Sequence, residues 1–167
     1  IIVGAGIIGL ALALKLKLRF PQSRLLIIEK EAAVGLHASG RNSGVLHAGF
    51  YYSADSLKAK LCREGNVAMK EYVAKHNLKI RHTRKLVVAK NEQEQATIHE
   101  LKRRGDANKV EVHVVDERQM ALIDPNAATH GEALFSPSTS TIDPVQICRA
   151  MAHELMDKGC LLYTSPS

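Results

Sequence analysis

The chain has 167 residues, 46% of them hydrophobic and 24% charged, which supports a packed core and excludes a disordered polyelectrolyte. No stretch reaches the roughly 18 consecutive apolar residues of a membrane-spanning helix, and Cys62, Cys148 and Cys160 are too few and too scattered for a disulfide framework or a zinc site. A net charge of +6 would suit nucleic acid or an anionic membrane surface, but aromatics are only 4% and acids interleave the bases between Lys58 and Lys90, so a solvated basic face and no nucleic-acid partner are expected.

In chain order, Ile1 to Val3 is the end of a buried strand. With no methionine before it, a few preceding residues are expected to be missing. Gly4 to Gly9 makes a turn, and Ile7 to about Phe20 is a helix with Lys15, Lys17 and Arg19 in its second half, where cations suit the negative end of the dipole. Pro21 stops it, and Arg24–Glu29 (RLLIIE) is a second buried strand.

Gly4, Gly6 and Gly9 follow the spacing G-x-G-x-x-G. The first glycine permits the tight turn, the second lets a pyrophosphate approach the backbone, and the third lets helix and sheet pack closely. The phosphates then meet free N–H groups at the positive end of the helix dipole. Glu29, at the end of the next strand, is placed to accept hydrogen bonds from the adenosine ribose and would repel a 2′-phosphate. Strand, glycine turn, helix and acid-ended strand predict a dinucleotide site, without separating NAD from FAD.

Residues 31–54 form a loop of a length that is usually functional or disordered. Asp55 is placed to cap a helix running to about His76, with Leu57, Leu61, Met69, Tyr72 and Val73 near helical spacing. Leu86–Ala89 reads as a strand, Glu92 to Arg104 as a polar helix, and Val110–Val115 as an alternating strand. Asp116 opens a short helix ending before Pro125, and Ala133–Pro137 is extended. Asp143 and Pro144, as cap and first position, open a helix to about Lys158. Cys160–Ser167 (CLLYTSPS) looks like the translation of a sequencing adapter, an artefact to exclude from the fold. The alternative is a natural strand and turn.

The segment His37–Cys62 carries Asn42-Ser43-Gly44-Val45-Leu46-His47-Ala48-Gly49, then Tyr51-Tyr52, then Ser56-Leu57-Lys58-Ala59-Lys60-Leu61-Cys62. These pieces resemble the FAD-dependent L-2-hydroxyglutarate dehydrogenase/oxidase family, within the D-amino-acid oxidase-like flavoproteins. Lys85–Ala89, the helix before Pro125 and Ile142-Asp143 match more loosely. The family usually has Cys-Gly-Lys where this chain has Thr83-Arg84-Lys85, which puts the backbone geometry there in question.

The resemblance implies an α/β fold: a Rossmann-like FAD-binding βαβ unit followed by the start of a mixed-sheet substrate domain. It divides the chain into an FAD-binding portion at 1–80 with a truncated first strand, part of a substrate or cap domain at 81–142, and a helix returning to the FAD-binding domain at 143–159. Residues 160–167 remain the adapter-like tail, and the chain is expected to be an N-terminal portion of a longer enzyme, inactive alone.

The implied cofactor is FAD. Gly4, Gly6, Gly9, Glu29 and Lys30 would serve its adenosine and phosphate end. Ser39, Asn42, Ser43 and Gly44 would contact pyrophosphate and ribityl groups, and His47 and Gly49 would lie nearest the isoalloxazine. His47 is the one candidate near the reacting ring, as an ordinary polar contact, as a covalent anchor, or as a merely structural histidine. His37 and Arg41 are expected to orient the loop. The base and the substrate-binding cations are not assigned, and His76, His82, His99, His113, His130 and His153 lack metal-ligand spacing. The implied reaction oxidises L-2-hydroxyglutarate, or a similar 2-hydroxy acid, to the 2-oxo acid by hydride transfer to flavin N5. Quinone or oxygen would take the electrons, in the cytoplasm or at the periphery of the inner membrane. The alternatives are an amine or amino-acid oxidase, a glycerol-3-phosphate dehydrogenase type, or an inactive nucleotide-binding fragment.

Overall fold

The computed structural model describes residues 1–165. Its elements are β1 (Ile2–Val3), α1 (Ile7–Arg19), β2 (Leu26–Glu29), β3 (Val45–Leu46), α2 (Leu57–Lys75), β4 (Ile80–Arg81), β5 (Lys85–Val88), α3 (Glu92–Ala107), β6 (His113–Asp116), α4 (Glu117–Ile123), β7 (Glu132–Ser136), β8 (Ser140–Ile142), α5 (Pro144–Asp157) and β9 (Leu161–Thr164). Contacts divide the chain into two units, one of residues 1–44, 73–79 and 142 onward, the other of 45–72 and 80–141. Residues 45–72 therefore group with the second unit, whereas the sequence suggested a boundary near residue 80. The cause is that β3 pairs with β8, Val45 opposite Thr141, rather than with the parallel sheet.

The first unit is built on a parallel sheet in the order β1-β2-β9, with Val3 beside Ile28 and Ile28 beside Tyr163. Alternation along β2 buries Ile27 and leaves Ile28 open. α1 turns Leu10, Ala13 and Leu14 inward at helical spacing, and packs against α5, which buries Ile147, Cys148, Met151, Ala152 and Leu155. Asp143 caps α5 as its composition suggests, its carboxylate accepting from the amides of Val145 and Gln146 at 2.9 and 3.1 Å. Leu161–Thr164 of the adapter-like tail forms β9, in register with Leu26–Glu29. Pro166 and Ser167 lie outside the described residues.

The second unit holds an antiparallel sheet in the order β5-β7-β6, with Leu86 opposite Phe135 and Val114 opposite Leu134. One core gathers Phe50, Ile98, Leu101, Val110, Val112 and Leu134. A smaller one gathers Val115, Met120 and Ala133 under α4. β3, β8 and β4 form a further short sheet.

Four local differences from the sequence reading have identifiable causes. Ser56, not Asp55, caps α2: its hydroxyl accepts from the Ala59 amide at 3.1 Å, while Asp55 occupies a left-handed turn at φ 64°. β6 begins at His113 because Val110 and Val112 dock on α3 instead. The Val110 amide donates to the Gly105 carbonyl at 2.8 Å, and a Cβ on Gly105 would come within 2.3 Å of Val112 Cγ2. α3 runs on to Ala107. Arg84, standing where the family usually has glycine, holds φ 57°. Its amide donates to the Thr139 carbonyl at 2.9 Å and its guanidinium lies over the Phe135 ring at 6.0 Å. Among the described residues, no helix is long and apolar enough to cross a membrane.

Candidate functional site: a dinucleotide-binding glycine turn

Gly4 leaves β1 at φ 100°, a conformation that favours glycine, and its amide donates to the Ile28 carbonyl at 2.7 Å. A Cβ on Gly9 would stand 2.0 Å from the Gly4 carbonyl oxygen, so only hydrogen there lets α1 start so close to the turn. Gly6 precedes α1 without a side-chain cap, and the first turn of the helix carries no acid. The positive end of the helix dipole is thus left without a neutralising carboxylate of its own.

Two side chains from elsewhere in this unit reach the turn. The Ser39 hydroxyl accepts from the Ile7 amide at 2.9 Å and would lie 3.0 Å from a Cβ on Gly6. Glu29 accepts from the Ala5 amide at 2.7 Å and from the Glu31 amide at 3.0 Å. Burial pushes the Glu29 carboxyl up, but the amides of Ala5, Glu31 and Lys30 outweigh it and hold the group below the usual carboxylate range. Lys30 is exposed, 3.6 Å from Glu31.

The loop that follows is shaped by its own side chains. His37 Nε2 meets the Glu31 carboxylate at 2.7 Å, and the Gly35 amide donates to the Ala5 carbonyl at 3.1 Å. The Asn42 amide nitrogen donates to the carbonyls of Ala38 and Ser39, both at 3.0 Å, while its oxygen accepts from the Gly44 amide at 2.9 Å. Gly44 is buried at φ 67°, and a Cβ there would meet the Ile142 carbonyl oxygen at 2.2 Å. Arg41 and Ser43 are exposed.

The structure therefore brings Gly4, Gly6, Gly9, Glu29 and Ser39 together at one helix start. It gives Asn42 and Gly44 the task of shaping the loop. His47 and Gly49 belong to the second unit: His47 is exposed, whereas Ala48, Gly49 and Phe50 after it are buried. Two contributors escaped the sequence reading. Glu31 carries no motif, although it stands two residues beyond Glu29. Asn66, within α2, donates to the carbonyls of Leu46 and His47 at 3.2 and 3.1 Å; an asparagine inside a helix is the only local sign of such a role. Among the described residues, no three His, Cys, Asp or Glu side chains are grouped to hold a metal ion.

A glycine turn between parallel strands, a helix start with no acid in its first turn and a carboxylate at the end of the neighbouring strand define a dinucleotide-binding α/β unit, and these residues fit a pyrophosphate and ribose. Residues 1–166 match the DAO family, FAD dependent oxidoreductase, and the chain belongs to that family. The mitochondrial L-2-hydroxyglutarate dehydrogenase of Nematostella vectensis is 38% identical, over 98% of this chain and 36% of its own length. The L-2-hydroxyglutarate dehydrogenase of Salmonella houtenae is 36% identical, over 95% of this chain and 37% of its own length. The chain thus spans little more than a third of these relatives. Dithionite-reduced L-α-glycerophosphate oxidase of Mycoplasma pneumoniae with FAD bound superposes at TM-score 0.86 with 26% identity, covering 97% of this chain and 43% of that one. Glycine oxidase of Geobacillus kaustophilus, at TM-score 0.83 and 21% identity over 97% of this chain and 45% of its own, shares the fold.

Proposed function

We propose that this chain provides the adenosine and pyrophosphate half of an FAD site in an enzyme that oxidises L-2-hydroxyglutarate, or a closely similar 2-hydroxy acid, to the 2-oxo acid. The observation that carries the cofactor reading is the glycine turn at the start of α1, free of acid in its first turn, with Glu29 on the Ala5 amide and Ser39 on the Ile7 amide. The substrate reading rests on L-2-hydroxyglutarate dehydrogenases 36–38% identical across nearly the whole chain. FAD, when bound, supplies the hydride acceptor.

The residues present divide the binding work. The glycine turn and the positive end of α1 would receive the pyrophosphate, with the Ser39 hydroxyl, which accepts from the Ile7 amide, as a neutral partner beside it. Glu29 accepts from the ribose hydroxyls, with Lys30 beside it at the adenosine end. Asn42, Ser43 and Gly44 carry the loop along the ribityl chain, and His47 and Gly49 stand on the ring side. Electrons would leave to a quinone or to oxygen, and a quinone route would fit peripheral association with a membrane.

Anaerobic addition of L-2-hydroxyglutarate to the flavin-loaded full-length enzyme should bleach the visible flavin band, while the D-enantiomer should not. Absence of bleaching by the L-enantiomer would sink the substrate reading. Glycerol 3-phosphate belongs in a parallel sample, because the similarity to a glycerophosphate oxidase favours that substrate as the second reading. Bleaching by it alone would put this second reading first.

A further inference from the structure

Asn66 is 5% exposed, on the stretch of α2 that belongs to the second unit. Burying a side-chain amide is costly unless its N–H groups are satisfied. The Asn66 side-chain nitrogen lies 3.2 Å from the Leu46 carbonyl, 3.1 Å from the His47 carbonyl and 3.5 Å from the Ser138 carbonyl. With two N–H groups, it serves the first two best. Lys70, one helical turn on, takes the Ser138 carbonyl at 2.7 Å.

The place of these two carbonyls in the chain gives the contact its meaning. β3 ends at Leu46, opposite Ser140, so the main chain leaves its strand partner as it reaches His47. Asn66 supplies the donor there. On the other side, Ala48 and Phe50 are packed into the core, and the Gly49 carbonyl accepts from Asn108 at 3.4 Å. The His47 ring is exposed and makes no hydrogen bond among the described residues. The main chain therefore sets the Cα–Cβ bond from which the ring projects, and two successive peptide planes of that main chain are fixed by one side chain.

We propose that Asn66 is a positioning residue that fixes the point from which the His47 imidazole projects, by holding the carbonyls of Leu46 and His47. Its bearing on the reaction rests on the reading of His47 as a ring-side group. Asn66→Asp keeps the shape and removes the donor. Lys70→Met removes only the grip on Ser138 and serves as the comparison.

In the flavin-loaded full-length enzyme, labelled at histidine, Asn66→Asp should move the His47 ring resonances and Lys70→Met should leave them in place. The flavin visible spectrum should shift, and kcat should fall about tenfold with KM within about twofold, since misplacing a group near the chemistry costs that order of rate. In a His47→Asn background, Asn66→Asp should add nothing further to either effect. Unmoved His47 resonances, or a full Asn66→Asp effect in the His47→Asn background, would overturn the proposal. Moved resonances combined with a His47→Asn protein of unchanged spectrum and kcat would uphold the positioning and remove the ring-side reading instead.

Discussion

Glu29 does two jobs with one carboxylate. It accepts from the Ala5 amide within the glycine turn and from the Glu31 amide beyond it, so the group assigned to the ribose also braces the turn that meets the pyrophosphate. Glu29→Gln keeps one acceptor oxygen and loses the charge. Hydrogen bonds to a charged partner contribute about 1.5–3 kcal/mol each, so the variant should bind FAD at least about tenfold more weakly in a flavin fluorescence titration. Unchanged affinity would mean that the carboxylate serves the turn alone. At this scale the sequence was informative where chemistry is local: three glycines and one acid lie within a single βαβ stretch. It was silent on the Ser39 hydroxyl at Ile7, because that contact joins residues 32 positions apart.

Among the elements, helix ends offer the sharpest test. Ser56 satisfies the Ala59 amide while Asp55 sits in a left-handed turn, so two neighbouring residues with similar capping propensity should respond differently. Ser56→Ala should cost about 1 kcal/mol, whereas Asp55→Gly should stay within about 0.5 kcal/mol, relief at φ 64° offsetting the gain in chain entropy. Urea unfolding of the two variants measures both, and equal losses would return the cap to Asp55. The longer elements were legible from periodicity. β3, β4 and β8 were not, since strands of two or three residues contain no period to read. β6 was drawn too long because Val110 and Val112 alternate as strand residues do, yet pack against α3.

Over the whole molecule, Glu29, Glu31, Glu100 and Glu154 are all held below the ordinary carboxylate value of 4.5. At Glu154, burial works upward, and the nearby Lys75, His76 and Lys158 prevail. Carboxyls with depressed folded values take up protons more readily when unfolded. Their contribution to stability is complete above the unfolded value and is lost as pH falls through the folded ones. The melting temperature should therefore level off above about pH 5 and fall on acidification toward pH 3. A melting temperature that rises on acidification would contradict the assignment. The fold class was legible at this scale from the order of elements. The division into two interleaved units was not, because it depends on which segments of the chain return to each other.

That interleaving has a consequence for how the protein is made. Val45 of β3 finds its partner Thr141 of β8 only 96 positions later. At a ribosomal speed of roughly 5–20 residues per second, β3 waits on the order of ten seconds without that partner. Throughout that wait it is an open template for any passing strand. Newly made copies on neighbouring ribosomes are the nearest such strands. Slower translation of the intervening segment should lengthen this exposure and raise the demand for chaperones, although the finished sheet would be the same.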